Sequence, residues 1–250
     1  MIFGEESNAL DKVFIRNIIT NEEEELIFTD EKVYDPSVSL RQKDRDTDEI
    51  YISYSTPKTQ NRTYLYNIKT KEKKLVKEQI IPSGHEPNDY IVERLECPSH
   101  DGRVVPITIT RHKNTPIDGS AELLLYGYGS YGHSMSPTFS STRLSLIKRN
   151  IIWATAHIRG GMERGMKWWK EGKLLNKKNT FKDYIACAKF LVEKKYTSKK
   201  KIIGMGGSAG GLLMGVVVNE EPDLFLGVIM ACLLYTSDAA DEEDSVDLGG

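Results

Sequence analysis

Two rhythms of apolar residues divide this 250-residue chain. In the first third, short runs are rich in β-branched and aromatic residues: "KVFIRNII", "EELIFT", "EIYISYS" and "RTYLYN". Polar stretches such as "TNEEEE", "TPKTQN" and "KTKEKK" separate them, which predicts the strands and turns of a β-meander. In "EIYISYS", Ile50, Ile52 and Tyr54 fall on one face and Tyr51, Ser53 and Ser55 on the other. The four glutamates at 22–25 read as a solvated edge rather than a binding site. Such strands suit a sandwich or a propeller blade, and the pattern alone does not choose between them.

The segment "IPSGHEPNDY" gathers proline, glycine and asparagine, and a domain boundary is placed there. Beyond it the rhythm changes. "VVPITIT", "AELLLYG" and "IIWATAH" read as strands, and "SSTRLSLIKRN" as a helix. "NTFKDYIACAKFLVEKK" predicts an amphipathic helix, with Phe181, Tyr184, Ile185, Ala188, Leu191 and Val192 on one face and Thr180 with Asp183 as a capping box. "KIIGMG" (strand), "AGGLLMGVVVN" (helix) and "FLGVIMA" follow, the last expected to be a buried parallel strand. Strands alternating with helices predict a mostly parallel sheet covered on both faces.

Composition agrees with a folded globular chain: 39% hydrophobic, 28% charged, net charge −2. No apolar run approaches the ~20 residues of a membrane span, so no membrane partner is expected. The start, "MIFGEESNAL", lacks a basic n-region and a long apolar core, so it is not expected to act as a signal peptide. Cys97, Cys187 and Cys232 are widely spaced and support neither a disulfide framework nor a metal site, so a reducing, cytoplasmic setting is expected. Charge is uneven. The stretch 232–250 holds six of the 36 acids and none of the 34 bases, which leaves the rest at +4.

Chemistry concentrates at Gly206-Gly207-Ser208-Ala209-Gly210, a G-x-S-x-G pattern between a predicted strand and a predicted helix. A serine at that sharp turn is strained, with its Oγ clear of the sheet. Residues two positions either side must be glycine-sized, and the helix that follows supplies unpaired N–H groups. A glycine-rich structural turn or phosphate loop is the alternative; the glycine spacing does not suit a dinucleotide site. A serine nucleophile needs a base, which in α/β-hydrolases follows it in the chain. All five histidines, at 85, 100, 112, 133 and 157, precede Ser208. His157, in "AHIRGG", reads better as a hydrogen-bonded histidine at the sheet edge than as a substitute base.

The stretches "LLLYGYGSYG", "SPTFSSTRLSLIKRN", "AHIRGGMERGMKWWKEGKLLNKKNTFKDYIACAKFL" and "GMGGSAGGLLMGVVVNEEPDLF" closely resemble the prolyl oligopeptidase family of serine peptidases, and within it the oligopeptidase B (protease II) branch. The resemblance implies an α/β fold: a partial α/β-hydrolase sheet preceded by the last blade or blades of a β-propeller. Residues 1–86 would be the C-terminal part of the propeller and residues 87–231 the first part of the catalytic domain. It implies Ser208 as nucleophile, with the Ala209 N–H and the Tyr128 hydroxyl as oxyanion donors and Tyr131 as a wall of the substrate pocket. Without the resemblance, Tyr128 would read as a core aromatic. Trp168 and Trp169 are expected to be packing residues. It further implies short peptides as substrates, cut after Lys or Arg, with no metal, no cofactor and no nucleic-acid partner.

After "LGVIMA" the chain departs from the family pattern. "CLLYTSDAADE" reads as a translated transposase-end sequencing adapter, and "SVDLGG" as an adapter's outer end. Residues 232–250 are therefore expected to be non-native and to have no stable place in the fold, in preference to an acidic solvated tail. The catalytic Asp and His would lie in the sequence they displace, and the 250 residues alone are expected to be inactive.

Overall fold

The computed structural model describes residues 1–40 and 47–231, so the expectations for 232–250 lie outside the described residues. Seven strands come first: β1 (Ile2–Ser7), β2 (Leu10–Arg16), β3 (Glu23–Glu25), β4 (Asp35–Leu40), β5 (Glu49–Ser55), β6 (Arg62–Asn67) and β7 (Lys73–Glu78). They make an antiparallel three-stranded sheet, β1-β2-β3, and an antiparallel four-stranded meander, β4-β5-β6-β7, the form of one propeller blade. The alternation in β5 is realised: Ile50, Ile52 and Tyr54 are buried. They pack with Val13, Leu26 and Phe28, and Tyr54 stacks on Tyr64. Ser55 is also buried, because its Oγ accepts the backbone N–H of Phe139 from beyond the blade. Only Glu24 and Glu25 of "EELIFT" lie in a strand, β3, and its apolar residues follow that strand; β1, β4 and β7 lacked a clear apolar signal.

A short 3-10 turn at Pro87–Asp89 leads into β8 (Tyr90–Pro98), then β9 (Val104–His112), β10 (Leu123–Tyr126), helix α1 (Ser141–Ile147) and β11 (Ile152–Ala156). Helices α2 (Met166–Lys170) and α3 (Lys178–Glu193), strand β12 (Ile202–Gly207), α4 (Ala209–Glu220) and β13 (Phe225–Ala231) follow. The six-stranded sheet runs β13-β12-β10-β11-β9-β8. Its β13, β12, β10 and β11 are mutually parallel, whereas β9 and β8 join antiparallel. The sheet is mostly parallel, as expected, its four parallel strands extended by the antiparallel pair β9 and β8.

Ile107, Ile109, Leu123, Leu125, Ile152 and Ala154 form one face of the core with Tyr184, Leu191 of α3 and Leu213, Met214, Val217 of α4. Trp153 points the other way, towards Leu144 and Ile147 of α1, as strand alternation requires. Each large aliphatic side chain so buried contributes about 1.5–3 kcal/mol. Cys97 and Cys187, distant in sequence, meet in this core as free thiols, and burial pushes the Cys187 thiol well up.

Two expectations need correction. Strand β13 is parallel to β12 but is the end strand of the sheet among the described residues, with Leu226, Ile229 and Met230 exposed. The Thr180–Asp183 capping box does not form. Helix α3 begins two residues earlier, directly from the 3-10 turn Leu174–Asn176, and both side chains are buried in tertiary bonds. Thr180 Oγ1 donates to the carbonyls of Arg159 and Gly172, and Asp183 receives Arg159.

The β1–β2 turn docks the two parts together. Asn8 and Ala9 both have positive φ, the backbone of a two-residue hairpin turn. Ala9 N–H donates to Glu163 O (2.7 Å), Arg164 Nε to Asn8 Oδ1 (2.9 Å), and the Arg94 guanidinium to Asn8 O.

Candidate active site

Ser208 stands between β12 and α4 with φ 52° and ψ −123°, a left-handed φ that costs a non-glycine residue about 1–3 kcal/mol. Its N–H donates to Ala231 O of β13 (2.7 Å) and its carbonyl accepts from Gly211 N (2.8 Å), which hold the turn at both ends. The side chain is exposed. Ala209 opens α4, so its N–H has no acceptor within the helix.

The flanking glycines are required by distance. A Cβ on Gly206 would lie 2.3 Å from Gly210 O, and one on Gly210 3.1 Å from Gly127 O. The same approach seats Tyr128 beside the turn, since that Gly210 Cβ would also lie 3.6 Å from Tyr128 Cδ2. Ser208, Ala209 and Tyr128 are therefore brought together, from the ends of β12 and β10. The ring of His133 packs edge-on against Tyr128 at 5.6 Å.

Tyr131 is 80% exposed and lines a cleft of about 350 Å³ with Trp169, Leu174, Lys177, Ala209 and Leu212. The sequence reading placed both tryptophans in packing. That holds for Trp168, which is buried and donates to His157 O; Trp169 lines the cleft instead. Lys177 and Leu212 were not singled out. Leu212 follows Ser208 by one helical turn, a spacing that could have pointed to it. Lys177 carried no local signal.

His157 is buried within the sheet region. Its Nε2 accepts from Arg94 Nη1 (2.9 Å) and lies 2.8 Å from Thr108 Oγ1. The proton of the neutral ring then sits on Nδ1, 3.9 Å from Glu163 Oε1. Burial first, and the Arg94 charge second, hold His157 well below the ordinary histidine range, while burial raises the Glu163 carboxyl to about 7. This is the structural placement expected for His157, bonded between β9 and the Arg94 of β8.

Beneath the site, Arg159 is buried and bidentate to Asp183 (Nε–Oδ2 2.8 Å, Nη2–Oδ1 2.6 Å), with Asp101 on its outer side. Burial lowers its pKa, but the two carboxylates together more than offset this and raise it. The pair fixes the start of α3 against the loop after β11.

Residues 137–246 match the prolyl oligopeptidase family, a span that runs past Ala231 into the segment read above as adapter-like. The chain is 40% identical over 225 residues to dipeptidyl aminopeptidase BI of Pseudoxanthomonas mexicana, covering 90% of this chain and 31% of the relative. It is 37% identical over 231 residues to protease 2 of Moraxella lacunata, covering 92% and 33%. Among solved structures it is similar to oligopeptidase B from Trypanosoma brucei with covalently bound antipain (TM-score 0.83, 34% identity, 92% of this chain and 33% of that one). Oligopeptidase B from Leishmania major is comparable (TM-score 0.81, 32% identity, 92% and 33%). The chain thus spans about a third of the length of the relatives it matches. With the blade, the mixed sheet and the serine turn in place, it belongs to the prolyl oligopeptidase family of serine peptidases.

Proposed function

We propose that this chain carries the nucleophile-bearing part of a serine oligopeptidase that hydrolyses short peptides after Lys or Arg. The observation that carries this reading is Ser208: an exposed hydroxyl on a positive-φ residue, followed by a free helix N–H, with Tyr128 packed across the turn. Ser208 Oγ attacks the scissile carbonyl carbon and its proton passes to a histidine base. The carbonyl oxygen, now negative, is held by Ala209 N–H and the Tyr128 hydroxyl, donors typically worth about 3 kcal/mol each. Collapse breaks the C–N bond and the amine leaves with the proton. Water then releases the acyl group.

Within the 250 residues no histidine follows Ser208, and His157 is engaged by Arg94 and Thr108. The base and its acid are assigned to the part of the relatives' length that this chain does not span. The chain alone should therefore show negligible turnover of a dibasic fluorogenic peptide. The preference for Lys or Arg rests on likeness to oligopeptidase B, since the cleft beside Ala209 is lined by Lys173 and Lys177 and by no carboxylate among the described residues. The blade is assigned the role of limiting access to short peptides. A cytoplasmic setting is supported by the buried free thiols Cys97 and Cys187.

The test uses the complete gene product with Ser208→Ala and Tyr128→Phe. Ser208→Ala should abolish acylation. Tyr128→Phe should lower kcat by about 10²–10³ with a smaller change in KM. A panel of Arg, Pro and ester substrates, plus a free amino-terminal dipeptide substrate, separates this reading from a prolyl peptidase, an esterase and a dipeptidyl aminopeptidase like the Pseudoxanthomonas relative. Parent-level activity in Tyr128→Phe would remove the oxyanion assignment.

A further inference from the structure

The turn after β10 carries Tyr128 and Tyr131 and is conformationally expensive. Gly129, Tyr131 and Gly132 all have positive φ, 64°, 57° and 68°. For Tyr131 that costs about 1–3 kcal/mol, so the turn must be held by its surroundings. It abuts the loop after β11 and the start of α3. A Cβ on Gly129 would lie 2.5 Å from Thr180 Cγ2 and 2.9 Å from Arg159 O, and Gly132 N–H donates to Gly160 O at 2.9 Å.

The side chain of Lys177, the residue that precedes α3, also reaches this turn. Its Nζ donates to Gly129 O at 2.6 Å and to Ser130 Oγ at 2.8 Å. The ammonium forms no ion pair among the described residues; its aromatic neighbour is Phe181, 5.9 Å to the ring centroid. A partly buried cation without a counter-ion is costly, and here it is directed at two acceptors of one turn. Charge-assisted bonds of this kind are shorter and about twice as strong as neutral ones.

We propose that Lys177 is a positioning residue of the peptidase reaction, its ammonium fixing the Gly129–Ser130 turn and thereby the Tyr128 hydroxyl at the oxyanion. This rests on the roles proposed above for Ser208 and Tyr128. Lys177 also lines the cleft that Tyr131 and Ala209 line, so the anchor of the turn stands at the edge of the candidate substrate pocket. Burial lowers the Lys177 pKa to about 8. The anchoring charge is therefore lost as pH rises through that value. Among the described residues, the other titratable groups lining this cleft are Tyr131 on the turn and Lys173, whose Nζ sits over the Trp169 ring at 3.3 Å.

The experiment is a double-mutant cycle in the complete gene product: K177M, Y128F, the pair, and K177R, each with pH profiles of kcat and KM. K177M should lower kcat about ten- to a hundredfold with little change in KM, within the ~10²-fold that a 1 Å misplacement can cost. In the Y128F background the same change should cost less than about threefold, because the group it positions has lost its hydroxyl. K177R keeps a charged donor at all working pH. It should retain most of the activity and move the alkaline fall in kcat, expected near pH 8 in the parent, upward by about one unit or more. Equal losses from K177M with and without the Tyr128 hydroxyl would overturn the proposal while leaving the oxyanion assignment standing. Parent activity in Y128F would overturn both. If K177M does not fold, K177R decides: an unchanged alkaline fall at pH 8 overturns the proposal.

Discussion

Replacing Gly206 by alanine should damage both stability and the serine turn, whereas the same change one residue later should do neither. The new Cβ at 206 would stand 2.3 Å from Gly210 O and 2.7 Å from Gly210 C, both backbone atoms that cannot rotate away. Ordinary contact begins near 3.4 Å, so β12 and the first turn of α4 must separate by about 1 Å. Overpacking of this kind costs about 1–3 kcal/mol. For a chain of this size each kcal/mol moves the melting temperature by about 2–4 °C, so a fall of roughly 2–12 °C is expected. At Gly207 the nearest atom to a new Cβ is Ala231 Cβ at 3.8 Å, an ordinary contact, and its effect should stay within about 0.5 kcal/mol. Urea denaturation of the two variants, followed by tryptophan fluorescence, measures the difference. All three tryptophans, at 153, 168 and 169, lie in the part of the chain that contains the turn. Equal stability of Gly206→Ala and Gly207→Ala would refute the close approach on which the serine geometry depends.

Two further outcomes follow from buried charge. The Glu163 carboxyl titrates near 7 in the fold against an ordinary 4.5, so the folded state holds its proton more tightly and stability falls as pH rises between these values. Glu163→Gln should remove that fall, gaining on the parent by up to about 3 kcal/mol from pH 5 to 7.5. A difference that does not change with pH would contradict this. His157, lowered by burial, acts in the opposite sense in both proteins, with stability lost as pH falls below its ordinary 6.5. Asp183→Ala leaves the buried Arg159 without its bidentate partner and should cost about 3–5 kcal/mol by denaturant unfolding; a loss below 1 kcal/mol would show that Asp101 suffices.

The parts of the fold legible in the sequence were those whose pattern reports a local cause. Strand β5 announced its buried face because alternation is a property of the strand itself. Helix α3 did so through its 3.6-residue period, and the serine turn through glycines whose spacing is dictated by contacts three or four residues apart. The failures are non-local. Thr180 and Asp183 look like a capping pair but are drawn into bonds with Arg159 and Gly172, from the segments on either side of α2. Strand β13 is continuously apolar and reads as buried, yet among the described residues it leaves Leu226, Ile229 and Met230 exposed. Lys177 resembles the lysines around it in "LLNKKN", and only the folded chain shows which one reaches Gly129. Trp169 differs from Trp168 in the same way, by which side of α2 faces the core.

The central claim is that Ser208 is the nucleophile of a serine peptidase. The most direct test is to treat the complete gene product with a fluorophosphonate and locate the adduct by peptide mass spectrometry. Attack by Ser208 Oγ forms the O–P bond and expels fluoride, so loss of peptidase activity should track one phosphonyl group per chain on the peptide containing Ser208, and Ser208→Ala should remain unlabelled. An adduct on another residue, or full activity after Ser208→Ala, would contradict the account.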